Sequence, residues 1–146
     1  MIPPFDTNTG RLPEGIHEAS WDEIVQRFGW NQRRRRLLEG LAEAIELLAQ
    51  AGCRRLWLNG SFVTAKDEPG DFDACWDIES VDLDAIHPVL LDLSSGRAEQ
   101  KRRFGGELFP NIIESGSGLV LTEFFQNDLD VGRNGIVVIE IGVWAS

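Results

Sequence analysis

The sequence predicts an α/β (α+β) fold, a small mixed β-sheet packed with helices, on three observations. Residues 31–52 carry apolar side chains at a helical period, with a capping asparagine at one end and a glycine at the other. The stretch "DFDACWDI", residues 71–78, alternates strictly between polar or small and apolar positions, as a half-buried strand does. The order along the chain is helix, strand, short helix, strand, helix, strand, which suits helices covering a small sheet. At 146 residues the chain has material for one domain with its own core.

Residues 1–19 hold three of the six prolines together with Gly10 and Gly15, and read as an extended arm lying on the domain formed by residues 20–146. Ser20 with Glu23 makes a capping box for a short helix whose Trp21, Ile24, Val25 and Phe28 share a face, with Gly29 at its end. Asn31 caps the next helix, in which Leu37, Leu38, Leu41, Ile45 and Leu48 form the buried stripe and Gly52 closes the last turn. Arg33 to Arg36 fall in its first turn, where the macrodipole disfavours each cation by about a few tenths of a kcal/mol. The run reads first as a solvated basic face, with contact to an anionic partner as the alternative.

"CRRLWLNG" reads as a strand ending at Gly60, and "DFDACWDI" as the next, with Phe72, Ala74, Trp76 and Ile78 inward and Asp71, Asp73, Cys75 and Asp77 on the other face. "VDLDAIHPVLLDL" and "SSGRAEQKRRFG" suggest two helical pieces, with Pro88 at a first helical position and Ser94 or Ser95 as a cap. "ELFPNIIE" fits an edge strand because Pro110 interrupts it, "GLVLTEFFQND" a helix, and the β-branched "GIVVIEIGV" a final strand.

A formal charge of -10 argues against an extended grip on a nucleic-acid backbone, which needs clustered lysine and arginine. A metal or a basic protein partner suits that balance better. The N-terminus lacks a signal-peptide pattern and no apolar run approaches the roughly 18 to 20 residues of a membrane span, so a cytoplasmic protein is expected. Cys53 and Cys75, without a CxxC spacing, read as reduced structural thiols.

The chemistry concentrates in residues 58–77. In a strand, residues i and i+2 project from one side about 7 Å apart, so Asp71 and Asp73 can converge on one ion. Alone they repel; Mg²⁺, a hard cation that accepts a few carboxylates and keeps sites for water and phosphate oxygens, turns that repulsion into binding. Gly60 and Ser61, at the end of the preceding strand and the start of a short helix through Phe62 to Ala65, expose backbone N–H groups and a hydroxyl suited to an anion such as a triphosphate. Lys66, in the intervening loop, can reach phosphate as a flexible point charge.

A strand ending Gly-Ser, the interval "FVTAKDEPG", and Asp-Phe-Asp opening a second strand together resemble the polymerase β-like nucleotidyltransferase superfamily, in particular its minimal nucleotidyltransferases. The motif spans residues 54–78. "GSFVTAKDEPGDFD", "AEQKRRFGGELFP" and "FFQND" look like a small bacterial family of uncharacterised nucleotidyltransferase-like proteins. The resemblance implies that Gly60 and Ser61 cradle nucleotide phosphates, that Asp71 and Asp73 bind the divalent metals, and that a third acid on a neighbouring strand completes the site.

Glu140 is the foremost candidate for that acid, because a carboxylate inside "VVIEIG" needs a partner or exposure, and Glu107 and Glu114 are the other two. Two functions follow as expectations. One is Mg²⁺-dependent transfer of a nucleoside monophosphate from a nucleoside triphosphate (NTP) to a hydroxyl of RNA, protein or a small molecule. The other is a catalytically degenerate fold that binds a protein partner, as in a toxin-antitoxin or defence pair. His17 and His87 have no ligand spacing, and the five tryptophans read as core and interface mass.

Overall fold

The computed structural model describes residues 1–92, 97–111, 127–128, 132–133 and 135–141. The chain has an α/β fold: three helices and a five-stranded mixed sheet lie among the described residues. The strands of that sheet are β1 (Gly15–Glu18), β2 (Arg55–Asn59), β3 (Phe72–Trp76), β4 (Gly106–Pro110) and β7 (Gly135–Glu140), in the order β1-β7-β2-β3-β4. The pairs β2–β3 and β2–β7 are antiparallel, and β1–β7 and β3–β4 are parallel. A separate antiparallel pair joins β5 (Asn127–Asp128) to β6 (Gly132–Arg133).

Helix α1 (Trp21–Phe28) begins where the Ser20 hydroxyl accepts the Glu23 N–H, and α2 (Gln32–Gln50) where Asn31 Oδ1 accepts the Arg34 N–H. Leu37, Leu38, Leu41, Ala44, Ile45 and Leu48 of α2 bury against Leu56, Leu58, Phe72, Ala74, Trp76, Val137 and Ile139 of the sheet. At about 1.5–3 kcal/mol for each large aliphatic side chain, this contact is the chief source of cohesion. Alternation places Trp57, Asn59, Asp73, Cys75 and Glu107 on the opposite face.

Helix α3 (Ala98–Phe104) crosses α2 closely at Gly40, where a Cβ would run into the carbonyl oxygen of Phe104. Gly105, at φ 85°, then turns the chain directly into β4. Pro110 stands on an edge strand, as its missing N–H requires.

Several segments differ from the sequence reading. Part of the N-terminal arm enters the sheet as β1, and Ile2 and Leu12 are buried. Residues 81–92 form only a 3-10 turn, Pro88–Leu91. The first helical position is set by Pro88, and local bonds donated by the Asp84 N–H to Asp82 Oδ1 and by the Val89 N–H to His87 Nδ1 compete with a longer helix. Residue Arg97 precedes α3 with a left-handed backbone, φ 62°; Ser94 and Ser95 lie outside the described residues. So do residues 118–126 of the segment read as a helix, whose last two residues pair as β5. No helix among the described residues is long and apolar enough to cross a membrane.

Replacing Gly40 with alanine is expected to lower the unfolding free energy by about 1–3 kcal/mol through overpacking against Phe104, read from urea denaturation. Unchanged stability would mean that α2 and α3 do not meet this tightly.

Candidate metal and nucleotide site

The site is assembled by two adjacent strands and one turn. In the antiparallel register Asn59 lies beside Asp73, so β2 hands over to Gly60 at the level of that aspartate. In the parallel register Asp73 lies beside Glu107 of β4. Asp71 precedes β3 by one residue. Carboxylate oxygens of Asp71, Asp73 and Glu107 all lie within 4.8 Å of one another.

Gly60 sits against this cluster with φ 80° and ψ -165°, a region that only glycine enters without strain. A Cβ there would run into Asp73 Oδ2, so the glycine permits both the bend and the approach of the carboxylate. Ser61 begins the short 3-10 turn Ser61–Val63, closed by the Thr64 hydroxyl donating to the Ser61 carbonyl at 2.6 Å.

The loop between the two halves is held from α2. Arg34 is fully buried, and its guanidinium donates to the carbonyls of Phe28 at 3.1 Å, Phe62 at 2.8 Å, Thr64 at 2.7 Å and Lys66 at 2.6 Å. Arg33 donates to the carbonyls of Pro69, at 3.1 Å, and Gly70, immediately before Asp71. Asn31 Nδ2 donates to the Asp67 carbonyl at 2.6 Å. The basic run is therefore not simply a solvated face: two of its members organise the loop, because carbonyls from a loop remote in sequence need donors. Burial pushes Arg34 down to about 10, with Asp67 acting in the opposite sense, and it stays charged at neutral pH.

Burial, with the neighbouring Asp71 and Glu107 charges, pushes Asp73 up to about 7. Asp71 is raised by burial and Glu107, opposed by Lys101, Arg33 and Lys66. Glu107 accepts from Lys101 at 2.8 Å and from Arg97 at 3.4 Å. Three carboxylate oxygens this close are hard donors of the kind that divalent cations such as Mg²⁺ or Ca²⁺ take, so the residues present fit an ion of that class. Burial and Asp73 also raise the Cys75 thiol, to about 12.

The other candidates separate. Glu140 pairs with Arg55 at 2.9 Å and is more than half exposed. The register puts Arg55 opposite Glu140 and Asn59 opposite Asp73, four residues or about 13 Å apart along β2. Glu114 lies outside the described residues. Asp77 falls beyond β3, where its Oδ1 accepts the Glu79 N–H at 3.0 Å, so it does not join Asp71 and Asp73. Lys66 borders, with Gly60 and Ser61, a cleft of about 620 Å³. The acidic cluster is outside that lining and meets it at Gly60.

The profile of a family of unknown function, DUF6932, matches residues 3–140, and the chain belongs to that family. No curated protein and no solved structure matches the chain.

The elevated Asp73 value gives a signed pH dependence. The folded state keeps a proton on Asp73 up to about pH 7, whereas the unfolded chain releases it near pH 4. Between those values the folded state binds more protons, so this group's contribution to stability declines as pH rises. Thermal melts from pH 5 to 8 in EDTA are expected to show that decline, and Asp73→Asn to remove it while Lys101, Arg97, Asp71 and Glu107 remain. Added Mn²⁺ or Mg²⁺ is expected to raise the melting temperature most at pH 8, where ligand and proton no longer compete. Equal slopes in wild type and Asp73→Asn would contradict this electrostatic account.

Proposed function

We propose that this member of the family is a Mg²⁺-dependent nucleotidyltransferase, moving a nucleoside monophosphate from an NTP to a hydroxyl. The observation that carries the reading is the meeting of Asp71, Asp73 and Glu107 beside the Gly60 bend. In this reading the three carboxylates hold the metal, with Glu107 as the third acid. Gly60, Ser61 and Lys66 face the phosphates. Bound metal supplies charge stabilisation for an in-line displacement at phosphorus.

The bond that forms joins the acceptor oxygen to the α-phosphorus, the bond that breaks releases pyrophosphate, and the hydroxyl proton passes to solvent. Arg34 and Arg33 keep the phosphate-facing turn and Asp71 in fixed relation, so that donor positioning requires little reorganisation during reaction. The reading includes a cytoplasmic setting, with which two unbridged, buried thiols agree.

A second reading rests on one specific observation. Glu107 already has Lys101 and Arg97 as partners, which suits a catalytically degenerate nucleotidyltransferase-like fold whose acids are neutralised internally and whose acidic surface docks a basic protein partner.

Calorimetric titration of Mg²⁺–NTP into wild type, Asp71→Ala, Asp73→Ala and Glu107→Ala separates the two. The enzyme reading expects metal-dependent binding that each substitution weakens at least tenfold, together with transfer of labelled nucleotide to RNA, protein or small-molecule acceptors. Wild type that neither binds NTP at millimolar concentration nor transfers label would leave the binding module in its place.

A further inference from the structure

Three polar or charged side chains are buried among the described residues: Arg34, Gln100 and Asn59. Two of them are well bonded. Arg34 donates to the carbonyls of Phe28, Phe62, Thr64 and Lys66. Gln100 donates from Nε2 to the Val89 carbonyl at 3.1 Å, and its Oε1 accepts the Leu108 N–H at 2.8 Å. Asn59 is the exception: it is 1 % exposed, and its Nδ2 has no hydrogen-bond partner. Buried side-chain amides are bonded as a rule, because an unpartnered donor carries the cost of leaving water with nothing to offset it.

The sheet places this donor beside the acids. Asn59 ends β2 next to Asp73 of β3, and Asp73 in turn stands next to Glu107 of β4, so the three side chains form one row on the face away from α2. Directly paired residues hold their Cβ atoms about 4.5–5.5 Å apart, within reach for an amide and a carboxylate. The Asp73 carboxylate also leans toward the end of β2, since a Cβ on Gly60, the residue after Asn59, would run into its Oδ2. At the other end of the row, Arg97 reaches Glu107 through Nη2 at 3.4 Å, and its buried Nε lacks a partner. Among the described residues, two of the three unpartnered buried side-chain donors thus flank the acids; the third, Trp76 Nε1, belongs to the core under α2.

Carboxylates that ligate a metal are themselves held by hydrogen bonds, which fix the angle at which the oxygen meets the ion. We infer that Asn59 is a positioning residue of the metal site: with a divalent cation on Asp71, Asp73 and Glu107, the Asn59 amide donates to the Asp73 carboxylate. That bond satisfies the buried donor and orients the carboxylate at once, and neither residue has to leave its strand. The inference rests on the metal-binding part of the proposed function and not on nucleotide transfer.

The test is the Mn²⁺ affinity of the full chain without nucleotide, followed by electron paramagnetic resonance at pH 8. Asp71→Ala is expected to abolish the tight signal, which assigns it to the acidic cluster. Asn59→Leu, which keeps the branched outline and removes the donor, is expected to weaken Mn²⁺ about 10- to 100-fold. Asn59→Ala, which cannot overpack, is expected to give a loss of the same order. Thermal melts with EDTA and with Mn²⁺ add a readout that a merely structural amide does not move. The rise in melting temperature on adding Mn²⁺ is expected to shrink in both variants, whereas a structural role lowers both melts together and leaves the rise intact.

Wild-type Mn²⁺ affinity in both Asn59 variants, or an unchanged Mn²⁺-induced rise, overturns the inference and leaves the nucleotidyltransferase reading standing. Wild type that binds no Mn²⁺, or Asp71→Ala that binds it as tightly as wild type, overturns both. Loss of Mn²⁺ affinity in the Asn59 variants of a protein that binds no Mg²⁺–NTP supports the inference and removes only the transfer reaction.

Discussion

The arrangement of the site depends on a buried guanidinium. Arg34 enters the interior without a carboxylate partner, and five contacts to main-chain carbonyls occupy the donors of its Nε, Nη1 and Nη2 atoms. Its planar face lies 3.7 Å from the Trp30 ring centroid. A buried charge is tolerated only when its hydrogen-bonding capacity is met, and here the last residue of α1 and residues 62–66 supply the acceptors. The exchange is mutual: carbonyls of residues 62–66 that would otherwise lack donors are satisfied, and the loop acquires one conformation. Lysine, with three donors on a flexible stem, does not reproduce a planar fork with five donors.

Two different devices therefore set the positions of the three acids. Asp73 and Glu107 are placed by hydrogen-bonded strand register, which fixes neighbouring side chains on one face of a pleated sheet. Asp71 lies just before the strand and follows the loop, whose last residues are held by Arg33 on the Pro69 and Gly70 carbonyls. Gly60 ties the two together, since the space beside Asp73 exists only in the absence of a side chain there. A disturbance in the first turn of α2 thus reaches the acids through backbone as well as through the Arg33 charge that acts on Asp71.

Legibility in the sequence followed the range of the interactions. The pairing of Asp71 with Asp73 rests on a period of two within one strand, and the bend at Gly60 on a glycine at a strand end, so both were readable locally. The pairing of Glu107 with Asp73 depends on β4 adding in parallel beside β3, a contact between distant segments that no local pattern encodes. Glu140 drew notice because apolar residues flank it, yet it stands at the exposed end of β7, where Arg55 answers it from β2. Arg34 was hidden among four consecutive arginines, whose local sequence cannot distinguish a side chain reaching water from one folded under a loop. The strand β1 was masked by its glycine- and proline-rich surroundings, and the only signal for it was the short run Ile16 to Glu18.

The electrostatic balance of the cluster bears on which occupant it favours. Arg97 and Lys101 both approach the same oxygen of Glu107, while Asp71 and Asp73 feel positive charge only at longer range, from Lys101, Arg97, Arg33 and Lys66. The deficit appears at Asp73, which is more enclosed than Asp71 and whose pKa rises to about 7. Among the ion pairs of the described residues, both cations bond to Glu107 and neither to Asp71 or Asp73, and Asp73 is the acid that lies against Gly60. In the proposed reading, a doubly charged ion beside Asp71 and Asp73 would relieve the repulsion that the protein's own cations leave in place, next to the turn proposed to face phosphate.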